Sequence, residues 1–201
     1  MGRLAQALRG AGYTVTNLDY PSTRHPLEKL ARDFVHPAVE RLSTRGTTRI
    51  HFVTHSMGGI LVRAYLRERR PHKLGRVVML APPNAGSDIV DRLGGFPPFA
   101  WALGPAALQL GTAMDGGPRR YGAADFPLGI IAGNHAPAAL FGRLFDGPHD
   151  GKVSVASARL DGMSDFLVLP LGHTFIMQRR AVIEQVLHFL AHGRFRGGHS
   201  G

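Results

Sequence analysis

The sequence contains no cysteine, one tryptophan and only three lysines among 24 basic residues. Without thiols, disulfide frameworks, cysteine-ligated zinc, iron–sulfur clusters and thiol nucleophiles are all excluded, and redox compartment is left open. The first ten residues have no apolar core of the kind a secretory signal carries. On those grounds the expected location is cytoplasmic. No block of five or six like charges, no glycine-rich phosphate loop and no zinc-finger spacing occurs. The formal charge of +10 comes from arginines in scattered pairs, such as Arg69-Arg70, Arg119-Arg120 and Arg179-Arg180. Nucleic acid is therefore not the expected partner, and contact with an anionic membrane surface is the other partner such a charge allows. At 201 residues and 44% hydrophobic content, one domain spanning residues 1–201 with one core is expected.

What is present reads as alternating helices and strands. Arg3 to Gly10 is an Ala/Leu-rich helix stopped by glycine, and Tyr13–Asp19 reads as a strand closed by Pro21. From Pro26 to about Ser43 the apolar spacing is helical. Arg49–Thr54 and the continuous apolar run Arg76–Leu80 read as strands, the second buried on both faces. Further strands are expected at Pro127–Ile131 and Phe166–Leu169, and a last helix runs from Phe175 to about His192. The pattern predicts the α/β class, a mostly parallel sheet with helices on both faces. Residues Leu93–Met114 carry no charge and are interrupted by glycine and proline. They are expected to form a lid or the wall of an apolar pocket within 93–124, rather than a membrane span. Plain core packing is the other reading of their aromatic residues.

Strand, then His55-Ser56-Met57-Gly58-Gly59, then helix is the most informative arrangement. A serine on a tight strand-to-helix turn is held in strained backbone, so a small residue is needed two places later, and Gly58 provides it. The helix N-terminus aims free amides at the space above Ser56, which makes the Met57 N–H a candidate oxyanion donor. Thr54 stands where the G-x-S-x-G pattern has its first glycine, and a β-branched residue there is expected to crowd the turn. The other reading of Ser56 is a helix cap.

These residues resemble the lipase/esterase-like members of the α/β-hydrolase superfamily. The resemblance implies a serine, then an acid after a late strand, then a histidine before the last helix. It places Asp150 (in His149-Asp150-Gly151-Lys152) in the acid role and His173 (in Leu171-Gly172-His173) in the base role. Asp146 and Asp161 also precede glycine and are rivals to Asp150, while Asp165 reads as structural. Among the other histidines, His51 and His55 share a strand face, and His188 and His192 lie one helical turn apart. Neither pair has a third ligand nearby, so no metal is expected. His55 is expected to pack under the turn, and Ser87 to cap a helix.

The implied activity is hydrolysis of carboxylic esters, with a small-molecule or lipid ester as substrate and no cofactor. An acyltransferase or thioesterase on the same three residues, or a binding module without catalysis, are the alternatives. The resemblance further implies a buried strand and a His-Gly turn ahead of the first helix, lying between Tyr13–Asp19 and Arg49–Thr54. The sequence as given starts past both, and the favoured expectation is an upstream start, with weak activity and low stability for residues 1–201 alone; direct pairing of the two flanking strands, or a non-catalytic relic, are the alternatives.

Overall fold

The computed structural model describes residues 1–44, 46–87, 90–91, 104–112, 117–136, 145 and 147–197. Four strands form one parallel sheet: β1 (Ile50–His55), β2 (Leu74–Leu80), β3 (Leu128–Gly133) and β4 (Asp165–Leu169), in the spatial order β1-β2-β3-β4. The described helices are α1 (Gly2–Gly10), α2 (Leu27–Leu30), α3 (His36–Ser43), α4 (Met57–Glu68), the short α5 (Val155–Ala158) and α6 (Arg180–His192). Parallel neighbours require crossovers, and α4 makes the first of them, between β1 and β2.

Side-chain alternation along the strands divides the core into two layers. Val77 and Met79 of β2, with Leu128 and Ile130 of β3, pack against α2, α3 and α4. Val78 and Leu80, with Ile131, point the other way and pack against Leu4 and Leu8 of α1 and Val182, Val186 and Phe189 of α6. Val77 through Leu80 are completely buried, as a strand covered on both faces must be. Gly129 belongs to this arrangement: a Cβ there would sit 2.5 Å from the Phe189 ring. The α/β class and the two-sided helical cover expected from the sequence are both found.

Three expectations are corrected. The helix from Pro26 to Ser43 is continuous but contains a π-helical turn at Ala31–Val35, immediately before Pro37. Pro37 lacks an N–H and its ring clashes with the carbonyl four residues back, so the hydrogen-bond ladder widens there. The last helix is split: a 3₁₀ turn at Ile176–Gln178 ends at Arg179, whose backbone is extended, before α6 begins. Tyr13–Asp19 is not a strand, because it joins no ladder. Among the described residues, Thr14–Asp19 makes no backbone–backbone hydrogen bond, and the Val15 carbonyl accepts from the Arg9 guanidinium at 3.3 Å instead. A cavity of about 810 Å³, lined by Thr14–Asn17 on one side and Thr48–His51 on the other, separates this segment from β1.

The uncharged stretch is described only in part. Within 104–112, Ala106 and Leu110 are buried in the core and Leu108 is exposed. Phe96, Phe99, Trp101 and Leu103 lie outside the described residues. Among the described residues, no helix is long and apolar enough to cross a membrane.

Candidate active site

Ser56 sits at the tip of β1, where the chain turns directly into α4. Its backbone has φ 54° and ψ −130°, a left-handed conformation that L-residues avoid and that costs of order 1–3 kcal/mol. The turn is held from outside, since the Ser56 N–H donates to the carbonyl of Leu80 at 2.8 Å. Thr54 does not crowd it. Its Cβ lies 3.6 Å from where a Gly58 Cβ would be, an ordinary contact, so Thr54 would leave room even for a side chain at 58. Gly59 answers a tighter demand: a Cβ there would meet Met79 and Pro82 at 3.1 Å, so its absence lets α4 lie close on the sheet. Met57 is the first residue of α4, and its N–H is one of the amides that an α-helix leaves without an internal acceptor.

The loop after β4 brings His173 over Ser56. His173 Nε2 lies 3.0 Å from Ser56 Oγ, and His173 Nδ1 lies 2.8 Å from Asp150 Oδ2. Both His173 and Asp150 are buried, at 5% and 4% exposure, so this line of three groups is shielded from water everywhere except at Ser56. Asp150 is locked by its own turn. Its Oδ1 accepts from the N–H groups of Lys152 at 2.9 Å and Val153 at 2.8 Å, leaving Oδ2 for the imidazole. Gly151, at φ 100°, makes that turn possible. The His173 N–H donates in turn to the Asp150 carbonyl at 2.9 Å, so backbone and side chain bind the two loops together. With an aspartate on Nδ1–H, the imidazole presents an unprotonated Nε2 to the serine hydroxyl.

The rivals Asp161 and Asp165 lie elsewhere. Asp161 is exposed in a turn beside Gly162. Asp165 is buried and accepts from the N–H groups of Phe166 at 2.8 Å and Phe195 at 2.7 Å, a role within the fold. Asp146 lies outside the described residues. His51 Nδ1 accepts the Arg76 N–H at 2.9 Å beside an irregularity in the β1–β2 register. His188 and His192 stack on each other at 4.3 Å on the exposed side of α6. Among the described residues, no three histidine, aspartate or glutamate side chains group closely enough to hold a metal ion.

Two residues of consequence are not apparent from the sequence. His55 does more than pack under the turn: its Nε2 lies 3.0 Å from the carbonyl oxygen of His173. A carbonyl can only accept, so this nitrogen carries the proton. Burial and then the neighbouring His173 ring push the His55 pKa down to about 4. Arg63, in the middle of α4, is 3% exposed and donates to the Asn84 carbonyl, the Asn84 Oδ1 and the Gly122 carbonyl at 2.9–3.1 Å. Burial lowers its pKa to about 10. It ties the loop after β2 to the segment that leads toward β3. A histidine adjoining the serine is a usable signal for the first; a charge in an otherwise apolar helix face (Ile60, Leu61, Ala64) is the signal for the second.

The model of the Alpha/beta hydrolase family matches residues 1–200. No curated protein matches the sequence. Solved structures of similar fold include the mature lipase BlEst2 of Bacillus licheniformis, with a TM-score of 0.64 and 17% identity over 86% of this chain and 75% of that one. The phospholipase PlaB of Legionella pneumophila has a TM-score of 0.65 and 19% identity over 94% of this chain. The metagenomic carboxyl esterase MGS0156 has a TM-score of 0.66 and 22% identity over 86% of this chain. The chain spans 54% of the second structure's length and 58% of the third's. A parallel sheet with helices on both faces, a serine at a strained strand-to-helix turn and a family match over nearly every residue lead to one assignment: this chain belongs to the alpha/beta hydrolase family.

Proposed function

We propose that this hydrolase cleaves carboxylic esters through a serine acyl-enzyme, with Ser56 as nucleophile, His173 as general base and acid, and Asp150 as the group that orients and stabilises the imidazole. The observation that carries the reading is the unbroken line of hydrogen bonds from Ser56 Oγ through His173 to Asp150.

A serine hydroxyl is a weak nucleophile near neutral pH, so attack on the ester carbonyl requires its proton to leave for His173 Nε2 as the new C–O bond forms. The imidazolium so produced is stabilised by the buried Asp150 carboxylate. The negative charge on the former carbonyl oxygen faces the Met57 N–H and the positive end of α4. Collapse of this intermediate expels the alcohol, which takes the proton from His173. Water then repeats the sequence on the acyl-enzyme, releasing the acid and restoring Ser56. None of these steps calls for a cofactor. Phe175, two residues along the chain from His173, is an exposed apolar side chain at 58% exposure. It favours an ester with an apolar acyl or alcohol part. Lipase, phospholipase and carboxyl esterase are the activities named for the three proteins of similar fold.

Reaction with a fluorophosphonate probe tests the proposal. Expected is one covalent label, on Ser56, absent from Ser56→Ala, together with hydrolysis of a p-nitrophenyl ester by the unlabelled protein only. A folded protein that takes no label, or a Ser56→Ala variant labelled as fast as the parent, overturns it.

A further inference from the structure

We propose that the cavity at the C-terminal end of α4 is a phosphate-binding site, which takes inorganic phosphate or the phosphate group of a small monoester. The cavity is lined by Arg63, Arg67 and Arg70 and by Tyr121 and residues 123–126 of the segment leading to β3. Arg63 and Arg67 stand one turn apart on one face of α4, and Arg70 follows two residues past its end. Like charges gathered on one cavity repel, and Asp125 is the one carboxylate among the lining residues. Arg63 is the deciding residue. It is 3% exposed, and its hydrogen-bond partners are neutral oxygens of Asn84 and Gly122. Carbonyls orient a guanidinium without neutralising it, and a buried charge without a counter-charge is costly. Among the described residues, neither Arg63 nor Arg67 lies within ion-pair distance of a carboxylate, while Arg70 is paired with Asp125. The Asp125 side chain is 73% exposed, so it sits at the rim and leaves the buried end to an incoming anion.

Size and charge select the ligand. The cavity holds about 120 Å³. That is the liquid volume of about four water molecules and well below the roughly 300–1,000 Å³ of pockets for drug-sized ligands. Three guanidiniums and one carboxylate give the wall a formal charge of +2. The C-terminal end of α4 opposes this with only about half a negative charge, so an anion is favoured. Guanidinium forks pair with carboxylate and phosphate alike. A planar carboxylate occupies one fork, whereas a tetrahedral phosphate offers oxygens to three at once. The site is also separate from Ser56, which stands at the other end of α4, 12 residues or roughly 18 Å long.

The test is calorimetric titration of the full chain with inorganic phosphate and with glycerol 3-phosphate, near neutral pH. Ionic strength is held constant with chloride, so that screening is the same throughout. Expected is one-site binding with a Kd below about 1 mM. Equal or weaker binding of the ester assigns the site to free phosphate, and tighter binding assigns it to a monoester; both support the proposal. Arg67→Gln and Arg70→Gln are each expected to weaken binding at least about 10-fold, as for loss of a charge-assisted hydrogen bond. Asp125→Asn is expected to strengthen it, because the carboxylate that competes for Arg70 is gone. All three positions are exposed, so these variants are expected to fold. Ser56→Ala is expected to bind phosphate as the parent does, which separates this inference from the proposed catalysis. Absence of saturable binding, acetate bound as tightly as phosphate, or a Kd indifferent to both Arg67→Gln and Arg70→Gln overturns it.

Discussion

His55 Nε2 donates to the carbonyl oxygen of His173 across 3.0 Å, and the two imidazole rings lie 4.9 Å apart. The residue before the serine thus holds the loop that carries His173, and β1 fixes both ends of the Ser56–His173 hydrogen bond. Removing that hold with His55→Leu is expected to lower kcat by about 10- to 100-fold with little change in KM, because a small misplacement of a catalytic group is costly. His55→Gln keeps an N–H donor and is expected to retain most of the rate. Steady-state kinetics on both variants, with circular dichroism to confirm folding, checks this.

The same histidine gives the fold a pH dependence. Its pKa is about 4 when folded, against an ordinary value near 6.5. Between those values the unfolded chain binds the proton and the folded chain does not, so stability present above pH ~6.5 is lost as pH falls toward 4. At about 1.4 kcal/mol per pH unit the loss from this group reaches at most ~3 kcal/mol. Urea unfolding at pH 7 and pH 4.5 is expected to show a smaller drop for His55→Gln than for the parent; equal drops would remove His55 as the cause.

Asp150→Asn preserves shape but reverses the hydrogen bond on His173 Nδ1, favouring the tautomer that cannot accept from Ser56. Loss of about 10⁴-fold in kcat is expected, with the melting temperature nearly unchanged. A loss below about 10-fold would mean that another carboxylate serves His173.

Gly133 ends β3 beneath the site. A Cβ at this position would lie 2.3 Å from the Leu171 carbonyl oxygen and 2.9 Å from the Asp150 Cβ. Backbone cannot yield as a side chain can, so Gly133→Ala is expected to displace the Asp150 and His173 loops, costing about 1–3 kcal/mol and at least 10-fold in kcat. Gly129→Ala, whose nearest neighbours are atoms of the Phe189 ring, is expected to lose stability without a matching loss of rate per folded molecule. Parallel measurement of unfolding and of active-site-titrated kcat distinguishes the two.

Arg63→Met keeps the length of the side chain but leaves the carbonyls of Asn84 and Gly122 without their donor. A loss of about 2–4 kcal/mol is expected, and Arg63→Lys recovers only part of it, since an ammonium cannot span the same fork. Chemical denaturation of the two variants checks the order.

Ser56 was legible from its own strand–turn–helix setting and glycines, whereas Asp150 and His173 were picked out by the family resemblance, with the Val-Ser-Val run after Asp150 and the helix after His173 narrowing the choice. The four paired strands were legible as short apolar runs between turn signals. Tyr13–Asp19 was misread because alternation reports which way side chains want to point, and says nothing about whether a neighbouring backbone is there to pair with. The π turn before Pro37 and the break at Arg179 depend on how a helix end is packed, which periodicity does not capture. Arg63 reaches partners 21 and 59 positions away and the His55–His173 bond spans 118 positions, so no short window of sequence contains both partners.

The sequential strand order has a bearing on when the protein becomes chemically competent. Each strand is laid beside the one made just before it, so the sheet can grow outward as the chain emerges. The site cannot, because Ser56 and His173 are separated by 117 positions. At roughly 5–20 residues per second, Ser56 waits about 6–23 s after its own synthesis before His173 is even added. Under the proposed mechanism its hydroxyl has no base until then, and a partly made chain is expected to be inert toward esters.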